Sequence, residues 1–380
     1  MLSRKVTRPI APHISFPENT NDDHYYAIQR GHARFAIYFL ASVAFLFLSV
    51  FIAAGQGSIS LSFQDVFSGV LLCGEHSQTC GLTAVEQQII WDIRLPRIFM
   101  ALLTGAGLSI TGAILQSVTR NPLADPYLFG ISSGAALGAV VAMSLMAALS
   151  ATVFSVSVVS VTIPIISVTT GALLGGALSV FLMLLLAGKS AAQVDKLLLS
   201  GVAVSFMLSA FTSLVIYYSS PETATTLLFW LMGSFSGADW GDLILPLVII
   251  SLGSCVFFLF GRWLLVMQSG EESAITLGVP VHQLRLGMLI LCSVITAVLV
   301  AEVGGIGFVG LMIPHICRLL VGAQIHRVLA MSLVVGGSFM IWVDIVANSL
   351  LQDQVLPVGI VTSALGSVFF FIILKNRQAS

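Results

Sequence analysis

Read along the chain, the sequence is a succession of long apolar runs separated by short clusters of charge. Runs free of Asp, Glu, Lys and Arg cover residues 35–64, 98–119, 126–188, 197–221, 243–261, 286–301, 303–317, 328–343 and 354–374. A helix that crosses a bilayer needs about 20 mainly apolar residues, within roughly 17–25. Each run therefore predicts one span, except 126–188, which suits two with a break in the Ser/Val/Thr-rich piece 150–162. The count is ten helices. Runs 286–301, 303–317 and 328–343 are short for a crossing, so those helices must be short or carry charged ends. The alternation of apolar and polar positions that marks barrel strands is missing. The expected fold class is all-α, a polytopic membrane protein.

Composition agrees. Hydrophobic residues make up 57% of the 380 residues and charged ones 9%, where soluble domains carry about 25% charged. The mean hydropathy is +1.02. A soluble fold has no way to hide so much apolar surface. The net charge of −1 offers no basic footprint for nucleic acid. Thirty-four glycines suit membrane helices that approach closely.

Charge also sets orientation. With a cytoplasmic N-terminus and ten spans, 14 of the 16 Lys and Arg fall inside, and Arg94 and Arg97 alone fall outside. This is the bias of an inner (cell) membrane protein with both termini cytoplasmic. The expected organisation is a tail over 1–34, a transmembrane domain over 35–375 and a short cytoplasmic end over 376–380. The first apolar run begins near Phe35, too deep for a cleaved signal, so the first span is expected to remain.

Several motifs bear on chemistry. Gly188-Lys189-Ser190 resembles the end of a phosphate loop, but Met183 stands where the first glycine is needed and an apolar helix precedes it. This chain is therefore expected to bind no nucleotide, and no metal motif is present. Cys73 and Cys80 share the first outside loop, where a disulfide is favoured and a metal site with His76 competes. Cys255, Cys292 and Cys317 read as buried thiols. Glycines at 130, 134 and 138, and at 171 and 175, predict close helix contacts. Pro122 and Pro126 break the helix in the inside loop 120–126, read as a gate or a partner contact. In the inside connection 268–285, Glu271 and Glu272 suit the first turn of a short helix, Gly278 its end and Pro280 the next start. Ala274 and Leu277 would give that helix an apolar knob for a soluble partner; a solvated loop is the bland alternative. The outside segment 221–242 carries Trp230 and Trp240, placed as interfacial anchors. Arg94 and Arg97, outside against the charge bias, suggest either snorkelling or an acidic partner.

Taken together, these segments resemble the permease subunits of the iron-chelate and vitamin B12 class of ABC importers. The matching stretches are Arg94-Leu-Pro-Arg97, Gly112 through Gly138 with Asn121-Pro-Leu-Ala-Asp-Pro126, Leu197 through Ala203, Trp230-Leu-Met-Gly233, Gly270 through Gly278, Gly307 through His315, Asp344-Ile-Val-Ala347 and Leu356 through Thr362. The resemblance implies a type II importer permease, a homodimer with its pore on the dimer axis and a fifth span, from Leu197, lining much of it. Two copies of a cytoplasmic ABC ATPase would bind the ATP and Mg, this chain holding no cofactor and catalysing nothing itself. A periplasmic binding protein would dock at Arg94 and Arg97; where the vitamin B12 member has a third arginine, this chain has Asn348. Gating would belong to Asn121, Leu123, Val194 and Asp195, and coupling to Glu271, Glu272, Ala274, Leu277 and Gly278. The expected cargo is a ferric siderophore or haem, with cobalamin next and molybdate-type oxyanions less favoured. The competing readings are an ion-coupled secondary transporter acting alone and a channel. The near absence of charge within the spans argues against both.

Overall fold

The computed structural model describes residues 20–57, 67, 69, 83–152, 167–188, 194–351 and 354–378. Cys73 and Cys80 lie outside the described residues. Thirteen helices account for most of the described chain. In order they are α1 (Thr20–Gly55), α2 (Ala84–Thr119), α3 (Ile131–Thr152), α4 (Val168–Ala187), α5 (Val194–Tyr218), α6 (Pro221–Leu231), α7 (Ile244–Leu259), α8 (Gly261–Gln268), α9 (Glu271–Thr276), α10 (Val281–Val303), α11 (Val309–Val321), α12 (Ile325–Ser349) and α13 (Val358–Gln378). Among the described residues there is no strand.

Seven of these helices are long and apolar enough to cross a membrane. α7 and α8, bent by 58° at their junction, would make an eighth. The runs 303–317 and 354–374 appear as the shorter apolar helices α11 and α13. α1 begins at Thr20, inside the stretch expected to be a loose tail, and its apolar part starts at His32. Pro17 is the last proline before the helix, and no other interrupts it.

α2 is the centre of the fold. It packs against α10, α11 and α12, and 83% of its apolar window is buried, against 6% in α1 and 22% in α5. Its burial depends on small residues. A Cβ on Gly112 would collide with the Gly310 backbone of α11, so the two helices touch main chain to main chain. Gln116 secures the same contact, its Nε2 donating to the carbonyls of Gly310 and Leu311 at 3.1 and 3.2 Å. Arg318 donates to Gln116 Oε1. The glycine repeats behave likewise: Gly134 and Gly138 of α3 face Gly175 and Gly171 of α4 with no room for a side chain. Buried hydroxyls on these helices bond their own backbone. Thr111, Thr119, Ser293 and Thr296 each donate to the carbonyl four residues back, which lets them sit in an apolar interior.

The segment 221–242, read as carrying the interfacial anchors Trp230 and Trp240, also forms a structural junction. After α6, Ser234 N donates to Val303 O at 3.0 Å. Val358 N donates to Gly233 O at 3.1 Å and Gly359 N to Met232 O at 3.0 Å. Three stretches picked out in the sequence thus meet through their backbones, beside Gly304 and Gly305. The chain then returns so that Trp240 Nε1 donates to Trp91 O on α2 at 2.9 Å.

Candidate functional site

The two ends of α2 carry the candidate residues. Its first turns include a π-helical stretch, Ile89–Arg94, followed by Pro96 at the start of the regular helix. Arg94, Arg97 and Asn348, far apart in sequence, line one cavity of about 630 Å³ between α1, α2 and α12, together with Gln56, Asp344 and Gln354. Both arginines are already engaged within the chain. Arg97 grips Asp344 with two nitrogens: Nε lies 3.1 and 2.9 Å from the two carboxylate oxygens and Nη2 lies 2.8 Å from Oδ1. The side chains are 17% and 7% exposed. This planar fork-on-fork geometry is the strongest form of such a pair. Arg94 is buried and donates to Ala54 O of α1 at 2.6 Å. Asn348 Nδ2 donates to Asp344 O at 2.8 Å. The two arginines expected to meet an acidic partner also tie α2 to α12 and α1 within the chain.

Asp344 was missed as a partner, although a signal existed. It is the lone acid between Arg327 and Asp353 in a long apolar stretch, and such a group must find a counter-charge.

At the other end, α2 stops at Arg120, which takes a left-handed conformation with φ 51°. Asn121 Oδ1 then accepts from Leu123 N at 2.9 Å, and Ala124 N donates to Asn121 O at 3.1 Å, a side-chain-closed turn. Asp125 Oδ1 accepts from Tyr127 N at 2.8 Å and caps the short 3-10 turn Pro126–Phe129. Asp125 is buried, and burial pushes its carboxyl up to about 6, against the pull of the Tyr127 and Leu311 amides. The 3-10 turn packs on α5, the helix that Val194 begins. Asp195 is exposed in the first turn of α5, where the helix dipole favours an acid.

α9 spans Glu271–Thr276 between two glycines with positive φ, Gly270 at 127° and Gly278 at 80°. Gly278 N donates to Ile275 O and Val279 N to Ala274 O, closing the helix. Glu272 is exposed. Ala274 is not: it is fully buried against its own chain. Of the expected knob, Ala274 is thus turned inward while Leu277 is exposed. In six residues only one side can face inward, and Ala274 holds it. The exposed apolar surface belongs to Ile275 at 59% and Leu277 at 70%.

Gly188 caps α4, and Lys189 and Ser190 lie outside the described residues. Among the described residues no group of three or more His, Cys, Asp or Glu converges.

The sequence profile of the FecCD transport family matches residues 44–376. The cobalamin import system permease protein BtuC of Halobacterium salinarum is 38% identical over 299 residues, covering 78% of this chain and 76% of that protein. An iron chelatin transport system permease protein of Helicobacter pylori is 37% identical over 349 residues, 91% of this chain and 98% of that one. A solved structure of a metal-chelate type ABC transporter in an inward-facing conformation superposes with a TM-score of 0.75 at 31% identity, covering 90% of this chain and 99% of its own.

Proposed function

This chain belongs to the FecCD transport family, and from that premise we propose that it is the permease subunit of an ATP-driven importer for a large metal chelate. A ferric siderophore or haem is the preferred cargo and cobalamin the next, in keeping with the relatives named for iron chelatin and cobalamin. Two copies would enclose the pore. Two separate ATPase subunits would bind ATP and Mg on the Arg120 side of α2, and a substrate-binding protein would dock on the Arg94 side. The relatives favour this over a secondary transporter working alone.

The observation that carries the reading is α9, a six-residue helix held between two glycine turns. It is anchored by buried Ala274 and offers Ile275 and Leu277 to solvent. A free loop needs neither the caps nor the anchor. A rigid apolar projection suits a groove on a soluble partner, with Ile275 and Leu277 as the anchors that fill it. Nucleotide binding by that partner would shift the populations of pore states that differ in their contacts with α9.

At the Arg94 side, the cavity of about 630 Å³ leaves room for an acidic side chain to reach Arg97 from outside. Such a carboxylate would compete with Asp344, and Asn348 and Gln354 would supply neutral donors beside it.

The test is uptake into proteoliposomes that contain the chain and its ATPase, with ferric siderophore, haem and cobalamin supplied on the binding protein. Uptake should require ATP and survive collapse of the ion gradient. Uptake that needs only the gradient would overturn the proposal.

A further inference from the structure

Glu271 stands where α9, α10 and the end of α2 meet. Its Oε2 lies 2.9 Å from Arg285 Nη2 and 3.9 Å from Arg120 Nη2. The two arginines differ. The Arg285 side chain is 3% exposed and belongs to α10, whereas the Arg120 side chain is 44% exposed and ends α2. Arg120 is one of two non-glycine residues with positive φ among those described, and it directly precedes the Asn121–Asp125 loop. A second tie lies next to the first: Gln268 Nε2, at the end of α8, donates to Ser117 Oγ of α2 at 2.5 Å.

We propose that Glu271 is a positioning residue that links α9 to the Asn121–Asp125 loop through Arg120. This rests on the reading of α9 as the ATPase-docking helix. Glycines flank α9 on both sides, at φ 127° and 80°, so a turn bounds it at each end. Its first residue holds a short charged bond to buried Arg285 and a long one to exposed Arg120. When α9 shifts, the long contact changes first, because 3.9 Å is already at the outer limit of an ion pair and the Arg285 contact is fixed by burial. Arg120 sits at the pivot where α2 gives way to the loop, so a change in its charge contact bears on the loop's entry angle.

An exposed pair of this kind contributes little to stability. Its removal is therefore separable from folding, which makes the proposal testable. The experiment compares wild type, Arg120→Gln and Arg120→Lys in proteoliposomes with the cognate ATPase, reading ATPase co-purification, thermal midpoint and substrate moved per ATP hydrolysed. Arg120→Gln should co-purify with the ATPase and melt as wild type does, yet lower the transport-to-ATP ratio about fivefold, the size of a modest coupling between sites. Arg120→Lys keeps the charge and should recover most of the ratio. A wild-type ratio in Arg120→Gln overturns the proposal while leaving the α9 reading intact. A fall in ratio matched by a fall in thermal midpoint also overturns it, since the residue would then be structural. If the wild-type chain neither binds the ATPase nor transports with ATP, the α9 reading fails and the link fails with it.

Discussion

The two ends of α2 carry arginines in opposite circumstances. At the Arg94 end the partners are buried and close: Arg97 and Asp344 are 17% and 7% exposed and meet at 2.8 Å. At the Arg120 end the partners are 44% and 41% exposed and 3.9 Å apart. The physics of the two contacts differs more than their chemistry. Removing one member of a buried pair strands a charge in a medium that solvates it poorly, whereas an exposed pair is solvated and screened whether or not it forms. One end of α2 thus carries a close ion pair to α12, and the other a long, exposed one to α9. On the proposed reading of alternating access, that asymmetry suits an end that holds its shape for docking and an end that moves.

The sharpest way to break this comparison is Asp344→Ala. It leaves half-buried Arg97 without its carboxylate beside the cavity they line and should cost about 3 kcal/mol of stability, the lower end for breaking a buried pair. Chemical or thermal unfolding in detergent would measure it. A loss below about 1 kcal/mol would mean the Arg94 end is not held by this pair.

A buried carboxyl qualifies the picture at the other end. Asp125, just past Arg120, is held up at about 6 by burial. The folded state keeps its proton over pH values where the unfolded chain, with an ordinary carboxylate, has lost it. Stability should therefore be highest below about pH 4, fall as pH rises from about 4 to 6, and level off above. The total is roughly 3 kcal/mol for a shift of about two units. Asp125→Asn keeps an oxygen to cap Tyr127 N and should flatten that slope. Thermal midpoints of the two proteins that run parallel from pH 4 to 7 would show that another group sets the dependence.

A smaller effect separates the two sides of α9. Ala274 is fully buried, so Ala274→Leu overpacks its site and should cost about 1–3 kcal/mol. A thermal midpoint equal to wild type would return Ala274 to the exposed surface that the sequence alone suggested.

These assignments show which parts of the molecule were legible in the sequence. Helix type and position followed from where charges are absent, since a bilayer tolerates few of them, and α3 and α4 met through the glycines whose spacing announced a close contact. The short capped helix at Glu271 and its glycine stop were also local signals. What escaped was set by contacts between distant residues. Arg97 and Asp344 are 247 positions apart, so no window along the chain reveals that the outside arginine is already paired. The side of α9 that faces inward was equally hidden, because six residues are less than two turns and give no periodicity to read. The return of residues 232–243 toward Trp91 depends on backbone bonds to Val303 and Val358, which leave no pattern of their own in the side chains. The disulfide expected at Cys73 and Cys80 lies outside the described residues.

The smallest effect on stability belongs to Leu277, and it is the most informative about the partner. Leu277 is 70% exposed, so Leu277→Asp should change stability by no more than about 0.5 kcal/mol, as for surface substitutions generally. Docking is another matter. A leucine buried on association is worth about 1.5–3 kcal/mol, and an aspartate in its place would bring an unpaired charge into the interface. The affinity for the ATPase should therefore drop about tenfold or more, since each 1.4 kcal/mol is a factor of ten. Titrating the detergent-solubilised chain with its ATPase, alongside a thermal midpoint for each variant, separates the two effects. If Leu277→Asp binds the ATPase as tightly as wild type, the exposed side of α9 is not the docking surface. The Arg120 end of α2 would then have to answer to some other contact. If binding falls while the midpoint holds, the division of α9 into a buried anchor and an exposed contact stands.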